Sequence, residues 1–405
     1  MSQKRNASII FIFITMVIDV LGIGIIIPVI PTLLKDFLGN DISKAALYGG
    51  YLMFAYAAMQ FIFSPIIGGL SDKFGRRPVI LASLFGFGID YILLAFAPNI
   101  TWLFVGRIIA GITGASFTTA SAYIADISAP EDRAKNFGMI GAAFGLGFIL
   151  GPALGGFLGD FGVKVPFFVA AGLSLLNWLY GYFILPESLS KENRRAFDWK
   201  RANPVSSLKN LGKYPMILGL VGALACLNLA GQVHPATWSY FTIKQFNWTQ
   251  KEVGFSLAFV GLMVAIVQGG LNRILIPKFG EQRSVRIGLL FYSFGFLLFG
   301  LATKGWMMYA FMVPFALSGI AGPSLQGIIS KQVGPSEQGE LQGAMTSLLS
   351  LTTIFGPIIA TNAFAYFTSN AAPVHIPGAA FFIAAVLALV SLLIAEKAFA
   401  KNFGG

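Results

Sequence analysis

Long apolar runs separated by short polar gaps recur along the whole chain. They fall near 8–34, 45–70, 78–97, 101–124, 136–160 and 165–185. Past a polar stretch they resume near 213–240, 250–276, 284–302, 305–329, 341–366 and 376–396. A helix needs about 20 apolar residues to cross roughly 30 Å of hydrocarbon, so each run predicts one membrane span. The stretch from Pro186 to Lys213 is the one substantial polar segment and divides the spans six and six. It carries Lys191, Arg194, Arg195, Lys200, Arg201 and Lys209, and reads as a solvated basic linker beside anionic lipid headgroups. The first run follows Lys4 and Arg5 with no small-residue cleavage site, which predicts a retained first span. The pattern predicts an all-α membrane protein: one six-helix bundle over 1–185, a cytoplasmic linker over 186–212, and a second bundle over 213–405.

Composition agrees. Hydrophobic residues make up 56% of the 405, charged ones 11%, and mean hydropathy is +0.74. A soluble domain carries roughly 25% charged residues and needs them to cover its surface. The net charge of +11 would suit nucleic acid only if it formed a patch, and it sits instead in the gaps between spans. With the N-terminus placed inside, 21 of the 28 Lys and Arg fall on the inner side and 6 outside, with Arg107 inside a span. That asymmetry predicts both termini in the cytoplasm; the expected location is the cell (inner) membrane. A lone Cys226 excludes an intrachain disulfide. With two histidines, His234 and His375, read near outer loops, no metal site is expected. No Gly-x-x-x-x-Gly-Lys-Ser/Thr motif is present, which argues against a nucleotide-driven motor in this chain.

The halves repeat. Lys73-Phe74-Gly75 recurs as Lys278-Phe279-Gly280 and Gly151-Pro152 as Gly356-Pro357, each 205 residues on. Pro130 and Pro335, Gly138 and Gly343, and Gly114 and Gly319 share that offset. A common offset that keeps loops and helices in register marks a duplication in parallel orientation, with a pathway expected between the halves.

The loop after the second span reads Gly68-Gly69-Leu70-Ser71-Asp72-Lys73-Phe74-Gly75-Arg76-Arg77-Pro78. Gly75 suits a tight turn and Pro78 the first turn of the next helix. This pattern resembles the signature loop of the major facilitator superfamily. Within it, the chain is similar to the tetracycline/proton antiporter group of drug efflux transporters. That likeness rests on Asp19-Val20-Leu21-Gly22-Ile23-Gly24, on Gly106-Arg107 through Gly114-Ala115, and on Tyr123 to Asp126. Gly147, Gly151, Pro152, Gly155 and Gly156 resemble the antiporter motif of the fifth span. The resemblance implies that Gly68, Asp72, Gly75, Arg76, Arg77 and Asp126 form a cytoplasmic latch. It also implies that Arg107 takes part in proton coupling. The glycines read equally as helix packing and as a place where the halves rock.

An ionisable residue at membrane depth is costly and therefore a functional candidate. Asp19 lies roughly 15 Å into the first span. Asp90 and Arg107 fall at similar depth in neighbouring spans. These three are the candidates for proton coupling, against the alternative of a static ion pair. Gln60, Gln268, Asn228 and Gln326, with Asn272 and Asn362, are the polar candidates for a substrate cavity or for interhelical bonds.

The resemblance implies a histidine in the eighth span and an acid in the ninth, where this chain has Val264 and Tyr292. The leading expectation is proton-coupled antiport of hydrophobic or amphiphilic small molecules by a monomer, with protons as coupling ion and no bound cofactor. An uncoupled carrier of a metabolite or lipid stays open. A membrane receptor or enzyme is the reading from another class, and no catalytic constellation supports the enzyme.

Overall fold

The computed structural model describes residues 2–114, 116–129, 132–199, 217–334 and 337–403. Ala115, the Pro130 and Pro335 repeat pair, and Lys200, Arg201, Lys209 and Lys213 lie outside the described residues. In chain order the helices are α1 (Ser2–Ile26), α2 (Ile30–Phe37), α3 (Ile42–Phe74), α4 (Arg76–Phe96), α5 (Ile100–Gly114), α6 (Ser116–Ile127), α7 (Arg133–Gly159) and α8 (Val165–Ile184). There follow α9 (Leu218–Phe246), α10 (Gln250–Ile266), α11 (Asn272–Phe279), α12 (Glu281–Leu301), α13 (Gly305–Leu317), α14 (Ala321–Ser330), α15 (Gln338–Thr368) and α16 (Ala379–Phe403). Among the described residues, 12 helical stretches are long and apolar enough to cross a membrane.

Three predicted spans are not single straight helices. The first ends at a turn over 27–29, where Pro28 has no N–H to continue the ladder, and Pro31 then sits in the opening turn of α2. A π-turn, Val267–Leu271, joins α10 to α11, and a 3₁₀ turn, Ser318–Ile320, joins α13 to α14. The two turns meet: Asn272 Nδ2 donates to the Gly319 carbonyl at 3.2 Å.

The chain forms two compact units. Unit 1 comprises Met1–Gly39, Ala55–Pro204 and Thr249–Ala258; unit 2 comprises Asn40–Phe54, Val205–Trp248 and Phe259–Gly405. In unit 1, α1 packs on α7 and α8, and α4 on α5 and α8. In unit 2, α9 packs on α15 and α16, and α12 on α13 and α16. These are the same pairings shifted by the repeat. Each unit has an apolar cluster near its repeated Lys-Phe-Gly loop. One gathers Phe11, Met16, Leu84 and Tyr123, the other Leu224, Leu289, Leu325 and Phe399. Phe96, Leu176, Phe183 and Leu393 are exposed on helix exteriors, as side chains facing hydrocarbon would be.

The described part of the linker, residues 186–199, is mostly exposed and touches unit 1 at a few points. Tyr123 Oη donates to the Pro186 carbonyl at 3.0 Å, and the Arg195 N–H donates to the Asp72 carbonyl at 3.1 Å. The Phe197 ring lies against Gly69, where a Cβ would come within 2.9 Å of it.

Candidate functional site

Unit 1 carries two polar clusters, one at membrane depth and one at the signature loop. In the first, Asp90 on α4 is fully buried and accepts a hydrogen bond from Arg107 Nη2 on α5 at 3.0 Å. The approach depends on Gly106, because a Cβ there would stand 2.6 Å from Asp90 Oδ1. That oxygen has no hydrogen-bond partner among the described residues. Asp19 on α1 is also buried, and its Oδ1 is likewise without a partner among them. Tyr91 leans from α4 onto α1 beside it, with its hydroxyl 2.9 Å from where a Gly22 Cβ would stand. Tyr56 on α3 brings its hydroxyl to 2.9 Å from where a Cβ on Gly114, at the end of α5, would stand. Four helices thus converge two acids, one base and two phenols in an otherwise apolar interior. Leaving a buried polar atom unsatisfied costs about 1–3 kcal/mol, so two orphan carboxylate oxygens are not explained by packing.

Gln60 belongs to the same neighbourhood. Its Nε2 donates to the Gly114 carbonyl at 3.2 Å and to Tyr56 Oη at 3.4 Å. The other amide candidates lie in unit 2. Asn228 and Asn362 each donate to the carbonyl one turn back, Leu224 and Ile358, both at 2.8 Å. Gln268, in the π-turn, and Gln326 are exposed.

At the signature loop, Gly75 has φ +106°, a conformation that favours glycine. The turn sends Arg76 back under α3. Its Nη1 donates to Asp72 Oδ1 and, at 2.7 Å, to Ser71 Oγ; its Nε donates to Asp126 Oδ2 at 3.2 Å. Ser71 Oγ in turn donates to the Gly68 carbonyl at 2.7 Å. The six residues expected here are therefore neighbours, but the Arg77 side chain pairs with no acid among the described residues. Its Nη2 donates to the Tyr182 carbonyl at 2.6 Å, and its guanidinium lies over the Tyr182 ring.

Glu187 is a member of this network that sequence reasoning did not single out. Its carboxylate accepts the Arg76 N–H at 2.8 Å, Arg77 N–H at 3.3 Å, Ser188 N–H at 3.0 Å and Leu189 N–H at 3.1 Å. It caps the N-terminus of α4, where free N–H groups and the helix dipole favour an anion. The available signal was an acid directly after Pro186, closing a span.

The glycines of α7 form a close seam. A Cβ on Gly147 would meet Val20, on Gly151 the Gly24 Cα at 2.8 Å, and on Gly155 the Ile25 carbonyl. A Cβ on Gly156 would stand 2.6 Å from the Gln250 carbonyl and 3.1 Å from the Gly254 Cα. Pro152 closes on Gly24 from the same side. The packing reading of these residues is what the geometry displays.

His234 is misplaced by the sequence reading. It lies buried in the middle of α9 among aromatic rings, not near an outer loop; His375 is in an exposed loop.

A family model described as Major Facilitator Superfamily matches residues 12–357. The chain is 41% identical over 390 residues to the class C tetracycline resistance protein of Escherichia coli, covering 96% of each. It is 36% identical over 399 residues to the class B protein of Escherichia coli, covering 97% of this chain and 98% of that one. The crystal structure of the human organic anion transporter TETRAN superposes with a TM-score of 0.70 at 23% identity. That match covers 96% of this chain and 99% of the other, and establishes the fold. The chain belongs to the Major Facilitator Superfamily. It is a multi-pass membrane transporter of the tetracycline-resistance-like group and not an enzyme.

Proposed function

We propose that the protein exports hydrophobic or amphiphilic small molecules in exchange for protons, by alternating access between its two halves. The observation that carries this is the buried group of Asp19, Asp90 and Arg107 in unit 1, with one unpartnered oxygen on each acid. A carboxylate in such a place can take up a proton when its surroundings change and release it when water or Arg107 returns. Relatives at 36–41% identity are named tetracycline resistance proteins, which supports efflux of an amphiphilic drug. Val264 and Tyr292, in place of the histidine and acid that the resemblance implies, favour a substrate other than tetracycline. Asp72, Arg76 and Asp126 would serve as the latch, and the α7 glycines with Pro152 as a hinge or packing motif against α1. Gln60, Gln268, Asn228 and Gln326 would line the substrate route. Both termini would lie in the cytoplasm by the charge asymmetry above; the protein would act as a monomer, with its linker at 186–212.

The test has two parts. Expression in a pump-deficient host should raise resistance to a set of amphiphilic drugs. Proteoliposomes with an imposed pH gradient should then concentrate one of those drugs against its own gradient. Equilibration that ignores the pH gradient would defeat antiport and favour the uncoupled carrier.

A further inference from the structure

The centre of unit 2 encloses a polar ring. His234 lies about three turns before the end of α9 and is 7% exposed. Its ring centre is 4.5 Å from that of Trp238 and 5.4 Å from that of Phe315, nearly parallel to the latter at 22°. Phe299 stands 6.3 Å away, and Phe381 closes the box behind Trp238 and Phe299. Nε2 is buried with no hydrogen-bond partner among the described residues. A phenylalanine would stack on the same rings and bury no orphan nitrogen, so packing alone does not select histidine.

A second feature lies beside it. Pro235 is inside the helix and offers no N–H to the Gly231 carbonyl, so α9 lacks a backbone bond at this level. Gly231 in turn makes room for Tyr292, whose hydroxyl would be 2.8 Å from a Cβ placed there. The orphan nitrogen and the missing backbone bond lie on neighbouring residues.

Rings at contact distance leave no space for a molecule, but a proton needs none. We propose that His234 is a proton-binding group of unit 2: neutral while the aromatic box is closed, and charged when α9 opens at the Pro235 break. The idea deepens the proton-coupled reading above and rests on it for its part in transport. Histidine is the side chain whose ordinary titration lies nearest neutral pH. The faces of Trp238 and Phe315 favour an imidazolium. Without an anion, however, a charge in the box needs water. Tyr292 of α12, across Phe315 at 5.4 Å, is the titratable group among the surrounding rings. Phe315 of α13 and Phe381 of α16 are apolar. The charged residues of these helices lie toward their ends: Lys244 on α9, Glu281, Arg283 and Arg286 on α12, Lys304 before α13, Glu340 on α15, and Glu396, Lys397 and Lys401 on α16. Proton binding and closure therefore oppose one another. Acidification shifts unit 2 toward the open arrangement and deprotonation returns it.

The chain has two histidines, so His375→Asn leaves His234 as the sole imidazole. Detergent-solubilised protein is acidified from about pH 8 to about pH 5, and proton uptake is read with an indicator dye. The single variant should take up about one more proton per molecule than the variant that also carries His234→Phe. Ring-labelled histidine should show the change by NMR, and Trp238, 4.5 Å from the imidazole, should lose fluorescence only when His234 is present. His234→Gln, polar but not titratable, should behave like His234→Phe. Equal uptake in all three, or a ring that stays neutral throughout, overturns the proposal. These readouts need no substrate. If Asp19 proves irrelevant to coupled transport, the reading above fails while the uptake difference stands, and the reverse outcome separates them equally.

Discussion

The same helix crossing is built in two ways in this molecule. Between α4 and α5 of unit 1, Asp90 meets Arg107, and Gly106 makes room for the carboxylate. Between α12 and α13 of unit 2, the residue 205 positions after Asp90 is Gly295, and it packs directly on Phe315, where a Cβ would lie 2.8 Å from its Cα. The counterparts of Asp19 and Arg107 are Leu224 and Met312, both buried in apolar surroundings. Unit 2 therefore shows that the pairing of these helices needs no charge. The charges of unit 1 ask for another reason, and a buried ion pair is in any case weak evidence for stability.

The largest expected effect tests that reason. Asp19→Asn should reduce gradient-driven transport by about two orders of magnitude or more, the scale of losing a proton-transfer group. Substrate counterflow without a gradient should survive. Loss of both, or of neither, would break the contrast between a chemical and a structural unit.

Next, Arg107→Leu leaves Asp90 buried without its partner and should cost about 3–5 kcal/mol in thermal unfolding in detergent. Asp90→Asn combined with Arg107→Gln should recover most of it. The matching change in unit 2, Met312→Leu, should cost less than about 1.5 kcal/mol. Similar costs at both positions would mean the ion pair is ordinary packing.

The glycine seam gives a smaller contrast. Gly155 faces the Ile25 carbonyl, but its counterpart is Ala360, which already carries a Cβ and is buried. Gly155→Ala should destabilise by about 1–3 kcal/mol, since backbone cannot yield as a side chain can. Ala360→Gly should cost no more than about 1 kcal/mol, the helix penalty of glycine. Smallest of all, Glu187→Gln should weaken the cap of α4 by about 1 kcal/mol, read as a shift in the same unfolding measurement. By the repeat offset its counterpart is Leu392, which caps nothing and packs on the apolar cluster of unit 2. Leu392→Met should therefore leave stability nearly unchanged.

Much of this was legible along the chain. Length and apolarity give the spans, because hydrocarbon leaves a backbone few ways to satisfy itself. Asp19, Asp90 and Arg107 stand out because charge is rare at that depth. Depth alone already placed Asp90 level with Arg107. His234 was misjudged because α9 runs on to Phe246, further than the apolar run suggested. Glu187 was passed over because its value depends on where α4 begins, 111 residues away in sequence. Arg77 looked equivalent to Arg76, and the turn at Gly75 sends the two guanidinium groups to different partners.

The sequence by itself determined the class of protein, the number of spans, the duplication and the unequal share of buried charge. The class rests on the resemblance carried by the signature loop and the helix motifs; the others follow from composition and spacing, which act locally and against a uniform solvent. Only the tertiary structure decided which oxygens of Asp19 and Asp90 lack partners, which acids Arg76 reaches, and that an imidazole sits among Trp238, Phe299 and Phe315. Those outcomes depend on which faces of several helices meet, and the faces are chosen by packing between residues far apart in the chain.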